Sequence, residues 1–298
     1  MIERFLEYIE VERRYSTHTV TSYRKDLADF SAFLLRTEAH LDFTIIDKKI
    51  IRNFMTELSA SKISKRSINR KISTLRSFFL FLLKVGDVKV SPLENIQSLK
   101  FYADKQIPFS EEEMANLESL EGKVKNGSFL KEVIIETLYQ TGIRKAELCN
   151  LLFQDVDFSK KEIKIVGKGN KSRIIPISDK LINSFERYLT KRKPLEPSKM
   201  YFFVSAKGKK INDKFVYSAV NSYLGLVTSK TKRSPHILRH SFATHVLENG
   251  AEISKVKKLM GHSSLASTQV YTTANIEQLK KVFNNAHPRA KKNLDYEN

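Results

Sequence analysis

The sequence predicts a mainly α-helical protein with a small antiparallel β-sheet in the second of two domains. Apolar residues recur at helical spacing through residues 1–86. Residues 87–108 have weak periodicity and contain Pro92 and Pro108, which is typical of a linker. Residues 162–177 alternate apolar and polar side chains around a glycine turn and predict two strands. A chain of 298 residues with 41% hydrophobic residues is long enough to bury two cores.

Four amphipathic helices are predicted in the first domain, residues 1–86. Each has an apolar face at helical spacing, and three follow a residue type that caps helix starts. Their starts, in order, are at Ile2, Ser16, Asp47 and Ser64, and the last helix ends near Gly86. Four helices of this length form a small all-α domain.

The second domain is predicted to span residues 109–287, with a tail at 288–298. A capping box of Ser110 and Glu113 opens its first helix. Two strands follow within 162–177, joined by a turn at 167–170. The other helices are predicted at 129–141, 144–151, 179–190, 213–226, 235–249, 252–260, 264–271 and 276–285.

The chain carries a large excess of positive charge, with 52 Lys and Arg against 33 Asp and Glu, a formal net charge of +19. Such an excess favours a polyanionic partner, because neutralising phosphates releases counterions. A solvated basic surface is the alternative. We assign DNA contact to Lys65, Arg66, Arg70, Lys71 and Arg76 in the first domain and to Lys171 and Arg173 in the second.

Cysteine content and hydropathy bear on the compartment. Cys149 is the one cysteine, so the chain forms no internal disulfide, which suits a reducing environment. The longest apolar run, Phe78–Leu83, is far shorter than a membrane span. The first residues carry acids among their apolar positions, unlike a signal peptide. We therefore expect a soluble, cytoplasmic protein.

Arg144 and Lys168 are the first two candidate site residues. Arg144 stands at a helix start, where its charge opposes the helix dipole and calls for an anionic partner. Either a bound anion or Glu147, three residues on, can be that partner. Lys168 lies at the tip of the strand turn, where it is either solvated or carried into a substrate site. The turn lacks the spacing of a phosphate-binding P-loop, so nucleotide hydrolysis has no support.

His236, Arg239 and His240 share one face of a predicted helix. Three interpretations are open for this face. The histidines can be satisfied within a core, they can ligate zinc at their four-residue spacing, or all three side chains can bind a phosphate. The zinc interpretation lacks the glutamate of the HExxH pattern and places Arg239 beside a cation.

His262 and Tyr271 form the last candidate pair, nine residues apart near the C-terminus. A tyrosine hydroxyl has a pKa near ~10 and is a poor nucleophile unless cations or a base help to ionise it. An aromatic residue at a helix end is the plainer interpretation of Tyr271. The pieces gain meaning together, because two arginines, a lysine, histidines and a tyrosine suit phosphoryl transfer without a metal or another cofactor.

Four motifs then resemble the tyrosine recombinase (phage-integrase-like) family, in particular its Xer-type members. They are TGIRKAEL, VGKGNKSR, HILRHSFATH and LMGHSSLASTQVYT, in the family's order. The resemblance implies a clamp around DNA, made of a helical core-binding (SAM-like) domain at 1–86 and a catalytic domain at 109–287. It covers nearly the whole chain.

The resemblance also implies roles for single residues. Tyr271 would be the nucleophile that forms a 3′-phosphotyrosyl bond to DNA. Arg144, Arg239 and His262 would bind the scissile phosphate. Lys168 would protonate the departing 5′ oxygen, and His236 would act as acid and base at the tyrosine oxygen. His240 would lie outside the catalytic set and support it.

Partners and biological role follow from the same resemblance. Family members exchange strands as tetramers on two double-stranded DNA sites, and their C-terminal helix docks onto a neighbour, for which residues 276–285 are the candidate here. The implied role is resolution of chromosome dimers for chromosome partition at cell division, with a sister recombinase and a septal DNA translocase as further partners. The alternatives are an integrase of a mobile element, a relaxing topoisomerase and a DNA-binding protein without activity.

Overall fold

The computed structural model describes residues 1–101, 106–119, 129–167, 172–261 and 273–290, and leaves out the side chains of 273–276. Over these ranges the chain is mainly helical and has one small antiparallel sheet, which confirms the predicted fold class. Its contacts divide it into two units, Met1–Asp104 and Lys105–Asn298. Each unit has its own hydrophobic core. No helix within the described ranges is both long and apolar enough to cross a membrane.

The first unit contains four α-helices. They are α1 (Ile2–Glu7), which continues as a π-helical turn at Tyr8–Glu12, α2 (Thr17–Thr37), α3 (Lys48–Ala60) and α4 (Lys65–Lys84). The predicted caps form. The side chains of Ser16, Asp47 and Ser64 accept hydrogen bonds from the backbone N–H three residues on. The apolar faces of the four helices meet in one core.

The segment after α4 packs on this core, although it was predicted as a linker. Val88, Leu93 and Ile96 are buried there. The side chain of Asn69 accepts from the backbone N–H of Leu99 and donates to its carbonyl, at 2.8 and 2.9 Å. The apolar residues of this segment lack helical spacing, so the segment itself carried no sign of the packing. Both the apolar surface and the hydrogen-bonding groups that hold it belong to α4. The first core therefore extends past residue 86.

The second unit contains eight α-helices and three strands among its described residues. In order they are α5 (Glu111–Ser119), α6 (Phe129–Thr141), α7 (Lys145–Cys149), β1 (Val156–Asp157), β2 (Glu162–Val166), β3 (Ser172–Pro176), α8 (Asp179–Lys191), α9 (Asp213–Leu224), α10 (Pro235–Glu248), α11 (Ile253–Met260) and α12 (Thr273–Ala286). The strands pair antiparallel in the order β1–β2–β3. The sequence did not predict β1, because two residues are too few for a periodic pattern. The predicted turn residues 168–170 and the predicted helix 264–271 lie outside the described residues.

Helix α6 is the centre of the second core. Its residues from Val133 to Thr141 are buried, and it packs against α8, α9 and α10. Its buried polar groups are satisfied: the amide of Gln140 donates to Glu136 and its oxygen accepts from the hydroxyl of Ser178. A helix that is apolar on most sides fixes the direction of the turn that follows it, which is where Arg144 lies.

The residues after α12 are anchored to α6. Arg289 forms ion pairs with Glu136 and Glu118 and donates to the carbonyl of Met114. His287 is fully buried and contacts the carbonyl of Tyr139 at 3.3 Å. The second residue of the predicted tail at 288–298 is therefore part of the fold. The contacts of Arg289 could not be predicted from the sequence, since its partners lie more than 150 residues away in the chain.

Two buried histidines beside Tyr139 are neutral. His245 donates from Nε2 to the carbonyl of Phe109 and accepts at Nδ1 from the Tyr139 hydroxyl, both at 2.8 Å. At His287, Nδ1 accepts from the backbone N–H of Arg289. The pKa of His287 is lowered to about 3, chiefly by burial and to a lesser degree by the charge of Arg289. Burial lowers the pKa of His245 as well.

This arrangement makes the second unit sensitive to mild acid. The folded pKa of His287 lies below the unfolded value near ~6.5, so the unfolded chain takes up a proton first and stability falls as the pH drops below that value. Between pH 7 and pH 5.5 this histidine alone costs about 1 kcal/mol of unfolding free energy. We expect His287→Gln, whose amide does not titrate, to show a smaller loss in urea unfolding at the two pH values. Equal losses in both proteins would contradict the assignment.

Candidate active site

The turn between α6 and α7 positions Arg144. Gly142 ends α6 with a φ of +59°, a conformation that favours glycine. A β-carbon at this position would lie 2.4 Å from Cδ1 of Phe242 on α10. Glycine is therefore required both for the backbone conformation and for the close approach of α10. Two residues later, Arg144 is the extended N-cap of α7.

Arg144 is paired with Glu147. This is one of the two partners that the sequence left open, the other being a bound anion. Its backbone N–H donates to Oε2 of Glu147 at 2.8 Å, and its guanidinium donates to Oε1 at 2.9 Å. The Arg144 side chain is 46% exposed, whereas that of Glu147 is 7% exposed. The pair fixes one side of the guanidinium and leaves the rest accessible to an anion from solvent.

Arg239 is buried on α10 and links two parts of the site. Its guanidinium donates to the carbonyl of Gly142 and, at 2.6 Å, to the carbonyl of Met260 at the end of α11. Burial and, to a lesser degree, the charge of Arg144 lower its pKa to about 10, against the opposing effect of the Glu147 carboxylate. Arg239 is thus charged at neutral pH and close enough to Arg144 and Glu147 to feel their charges.

Arg173 on β3 belongs to the same cluster and was wrongly assigned to DNA contact. Its side chain is 5% exposed, and both terminal nitrogens donate to Glu147, at 3.0 and 2.7 Å. Its Nε donates to the carbonyl of Leu259 at 2.8 Å. Burial opposes ionisation of Glu147, but the hydrogen bonds and charge of Arg173 outweigh it, so the pKa of Glu147 is lowered. Arg173 is buried because the buried carboxylate of Glu147 requires a cationic partner.

His236 and His240 lie exposed on α10, while Ile237 and Leu238 between them are buried. The predicted face is therefore polar and accessible, next to buried Arg239. The histidine of α10 that is satisfied within the core is His245, which was not among the candidate residues. Within the described ranges, no three His, Cys, Asp or Glu side chains come together as a metal site would require.

Lys168, Lys171, His262 and Tyr271 lie outside the described residues. The described residue that directly precedes His262 has a defined conformation. Gly261 ends α11 in a left-handed conformation with a φ of +66° and directly precedes His262. A β-carbon on Gly261 would lie 3.1 Å from a terminal nitrogen of Arg173. The structure thus brings together Arg144, Arg239 and the residue before His262.

The first-domain residues assigned to DNA contact divide into two groups. Lys65 and Arg66 are exposed in the first turn of α4. Lys71 is buried and bonded to Asp26 and Asp29, so its assignment to DNA contact is wrong. The physical reason is the buried Asp26 carboxylate on α2, which requires cations from α4.

Arg70 and Arg76 are also bonded within the first unit. Arg70 shares the Asp26 carboxylate with Lys71 but keeps 48% of its side chain exposed. Arg76 donates to the carbonyl of Ile96 and contacts the hydroxyl of Ser98 at 3.5 Å. Arg70 therefore combines an internal bond with an accessible guanidinium, and Arg76 ties α4 to the segment that follows it.

Comparison with known families identifies this architecture. The model of the phage integrase family matches residues 110–278, and that of the phage integrase N-terminal SAM-like domain matches residues 2–86. The chain belongs to the phage integrase family. It is a tyrosine recombinase, and its curated relatives include proteins named tyrosine recombinase XerC. That of Staphylococcus saprophyticus is 39% identical and that of Staphylococcus carnosus 40% identical, each over 97% of this chain and 98% of the relative.

Solved structures of the family share the recombinase fold. A lambda integrase dimer bound to a core site superposes with a TM-score of 0.70 at 14% identity, covering 91% of this chain and 98% of that one. The XerH recombinase bound to a palindromic difH substrate, a post-cleavage complex, gives a TM-score of 0.70 at 20% identity and covers 94% and 83%. At these identities the likeness establishes the fold of this recombinase.

The turn that carries Arg144 can be tested with matched glycine substitutions. Gly142 and Gly250 both have a positive φ, but a β-carbon meets Phe242 at the first and nothing within 4 Å at the second. We expect Gly142→Ala to cost roughly 3 kcal/mol or more, from strain and a clash with a buried ring, and Gly250→Ala about 1 kcal/mol. Urea unfolding of the two variants measures the difference. Equal costs would show that α10 does not hold the turn as described.

Proposed function

We propose that this recombinase cuts one DNA strand at a time with Tyr271 and rejoins it to a different end. The observation that carries the proposal is the convergence of Arg144 and Arg239, 95 residues apart in the chain, at the turn after α6: Arg144 pairs with Glu147, and Arg239 donates to the carbonyl of Gly142. Arg144 and Arg173 both bond the carboxylate of Glu147, and Arg239 is near enough to interact with its charge, so the cluster has a surplus of positive charge. A phosphate diester is the ligand that such a site suits.

The proposed reaction is a pair of transesterifications. The Tyr271 oxygen attacks the scissile phosphorus, the bond from phosphorus to the 5′ oxygen breaks, and Lys168 gives that oxygen a proton. A 5′ hydroxyl from the partner duplex then attacks the phosphotyrosine and restores the tyrosine. One phosphoester bond replaces another at each step, so the chemistry requires neither ATP nor a metal.

The remaining candidates take the supporting roles that the family resemblance implies. Arg144, Arg239 and His262 bind the non-bridging oxygens, where negative charge is concentrated in the transition state. His236 moves the proton at the tyrosine oxygen, and its exposure on α10 leaves it accessible to DNA. His240, one turn along the same face, supports the site.

The proposed DNA grip rests on exposed cations. Lys65 and Arg66 at the start of α4 are free of the internal network that holds Lys71, and Arg70 keeps half of its side chain exposed. Lys171 completes the set next to β3. Contacts of this kind go to phosphates, so they supply affinity and register more than sequence preference.

The proposed assembly is a tetramer on two double-stranded DNA sites, formed with copies of this chain or with a sister recombinase. The DNA complexes of lambda integrase and XerH support binding of a duplex and action in more than one copy. Leu279 and Phe283 on α12 are buried within the chain, so their apolar face already has intramolecular contacts. Docking onto a neighbour would require these two side chains to leave their present contacts.

The proposed cellular role is resolution of chromosome dimers in the cytoplasm, in concert with a septal DNA translocase. The XerC relatives support it over a mobile-element integrase. Chromatin immunoprecipitation in the native host would locate the DNA that the protein binds. We expect enrichment at one locus near the replication terminus. Enrichment at the boundary of a mobile element would contradict this role and leave the chemistry intact.

The chemistry is tested by trapping the covalent intermediate. A nicked duplex that carries the mapped site should give an SDS-stable protein–DNA adduct, since loss of the short strand prevents rejoining. We expect no adduct from Tyr271→Phe, and wild-type levels from Tyr217→Phe, which alters a half-exposed tyrosine on α9. Arg144→Ala should slow adduct formation by about 100-fold or more, the loss typical of one transition-state donor.

Metal dependence is the control for the same assay. Adduct formation should persist in EDTA, and inhibition that added Zn²⁺ reverses would revive the zinc interpretation of His236 and His240. An adduct that persists in Tyr271→Phe would show that another residue is the nucleophile.

A further inference from the structure

The guanidinium group of Arg173 joins three elements of the catalytic unit. It extends from β3, grips Glu147 on α7 with both terminal nitrogens and donates from Nε to the carbonyl of Leu259 at the end of α11. Its side chain is 5% exposed, so these internal bonds replace water almost entirely.

We propose that Arg173 is a positioning residue for strand cleavage. It holds Glu147 against Arg144 on one side and the end of α11 on the other, so that Arg144 and the end of α11 keep a fixed relation. The inference rests on the proposed role of Arg144 in phosphate binding. Arg173 would not contact the DNA itself.

Arg173 determines how much of the positive charge of Arg144 is available to a phosphate. Oε1 of Glu147 accepts from both Arg144 and Arg173. With Arg144 as its one cationic partner, this buried carboxylate would draw the Arg144 guanidinium inward and cancel its charge. The bidentate bond to Arg173 satisfies the carboxylate, so the charge of Arg144 stays in surplus for a phosphate.

The C-terminal end of α11 is held by two arginines, one of which is Arg173. Its last two carbonyls, of Leu259 and Met260, accept from Arg173 and Arg239 respectively. Cations are favourable at a helix C-terminus, where carbonyls have no partners within the helix. The next residue, Gly261, lies against Arg173 so closely that a β-carbon would come within 3.1 to 3.3 Å of three of its side-chain atoms. Arg173 thus helps to fix the backbone as far as Gly261, the residue before His262.

Arg289 provides a matched control. It is also a buried arginine of the same unit, 7% exposed, with two carboxylate partners and a bond to a backbone carbonyl. Its partners are Glu118, Glu136 and Met114, which belong to α5 and α6. Substitution of Arg289 therefore reports the cost of losing a buried arginine network away from Glu147.

The experiment compares Arg173→Gln, Arg173→Lys, Arg289→Gln and Arg289→Lys in the full chain. Three quantities are measured: melting temperature, affinity for the nicked duplex, and the single-turnover rate of adduct formation at saturating DNA. We expect Arg173→Gln to lower that rate by about 10- to 100-fold, the usual loss when the support of a site residue is removed, with little change in affinity. Arg173→Lys should recover part of the rate, because lysine supplies the charge and lacks the forked geometry.

The controls separate positioning from folding. Both Arg289 variants should melt earlier yet keep the wild-type rate below their melting temperature. Equal rates in Arg173→Gln and wild type, or equal losses in the Arg173 and Arg289 variants, would overturn the inference. Should Arg173→Gln not fold, Arg173→Lys carries the test, and a rate equal to that of Arg289→Lys would overturn it.

Arg144→Ala separates this inference from the proposed function. If Arg144→Ala loses adduct formation while the Arg173 variants keep the wild-type rate, only the positioning role fails. If Arg144→Ala keeps the wild-type rate, the proposed phosphate site fails, and the positioning role fails with it.

Discussion

The buried carboxylate of Glu147 is the interaction on which the candidate site depends. It accepts hydrogen bonds from the backbone and side chain of Arg144 and from both terminal nitrogens of Arg173. A buried carboxylate is costly unless fully paired, so these bonds hold β3 against α7 in one geometry. Arg239 adds a second tie, from the turn at Gly142 to the end of α11. Arg144 and Arg239 are therefore held in place without a bound phosphate, and such preorganisation is the condition for strong electrostatic stabilisation.

Local features of this recombinase could be predicted from its sequence. Ser16, Asp47 and Ser64 cap helices because the cap and its partner are three residues apart. The pair of Arg144 and Glu147 has the same spacing and was one of two stated alternatives. The motif order indicated the family, which the matched family models then showed. All of these signals lie within a few residues of one another or in a recognisable order.

Long-range polar contacts could not be predicted in this way. Arg173 reaches Glu147 across 26 residues and Leu259 across 86, and Lys71 reaches Asp26 across 45. In sequence each of these cations resembles a solvated basic residue, because charge alone does not reveal a buried carboxylate on another element. The same holds for Arg289, whose partners lie on α5 and α6. A surplus of positive charge therefore overestimates the surface available to DNA, since part of it neutralises internal acids.

The most direct test of this account is a crystal structure of the recombinase covalently trapped on its mapped DNA site. The account predicts that guanidinium nitrogens of Arg144 and Arg239 both lie within about 3 Å of non-bridging oxygens of one phosphate, the usual length of a charge-assisted hydrogen bond. The bidentate bond between Arg173 and Glu147 should persist. A trapped phosphate remote from either arginine, or a Glu147 carboxylate released from Arg173, would contradict it.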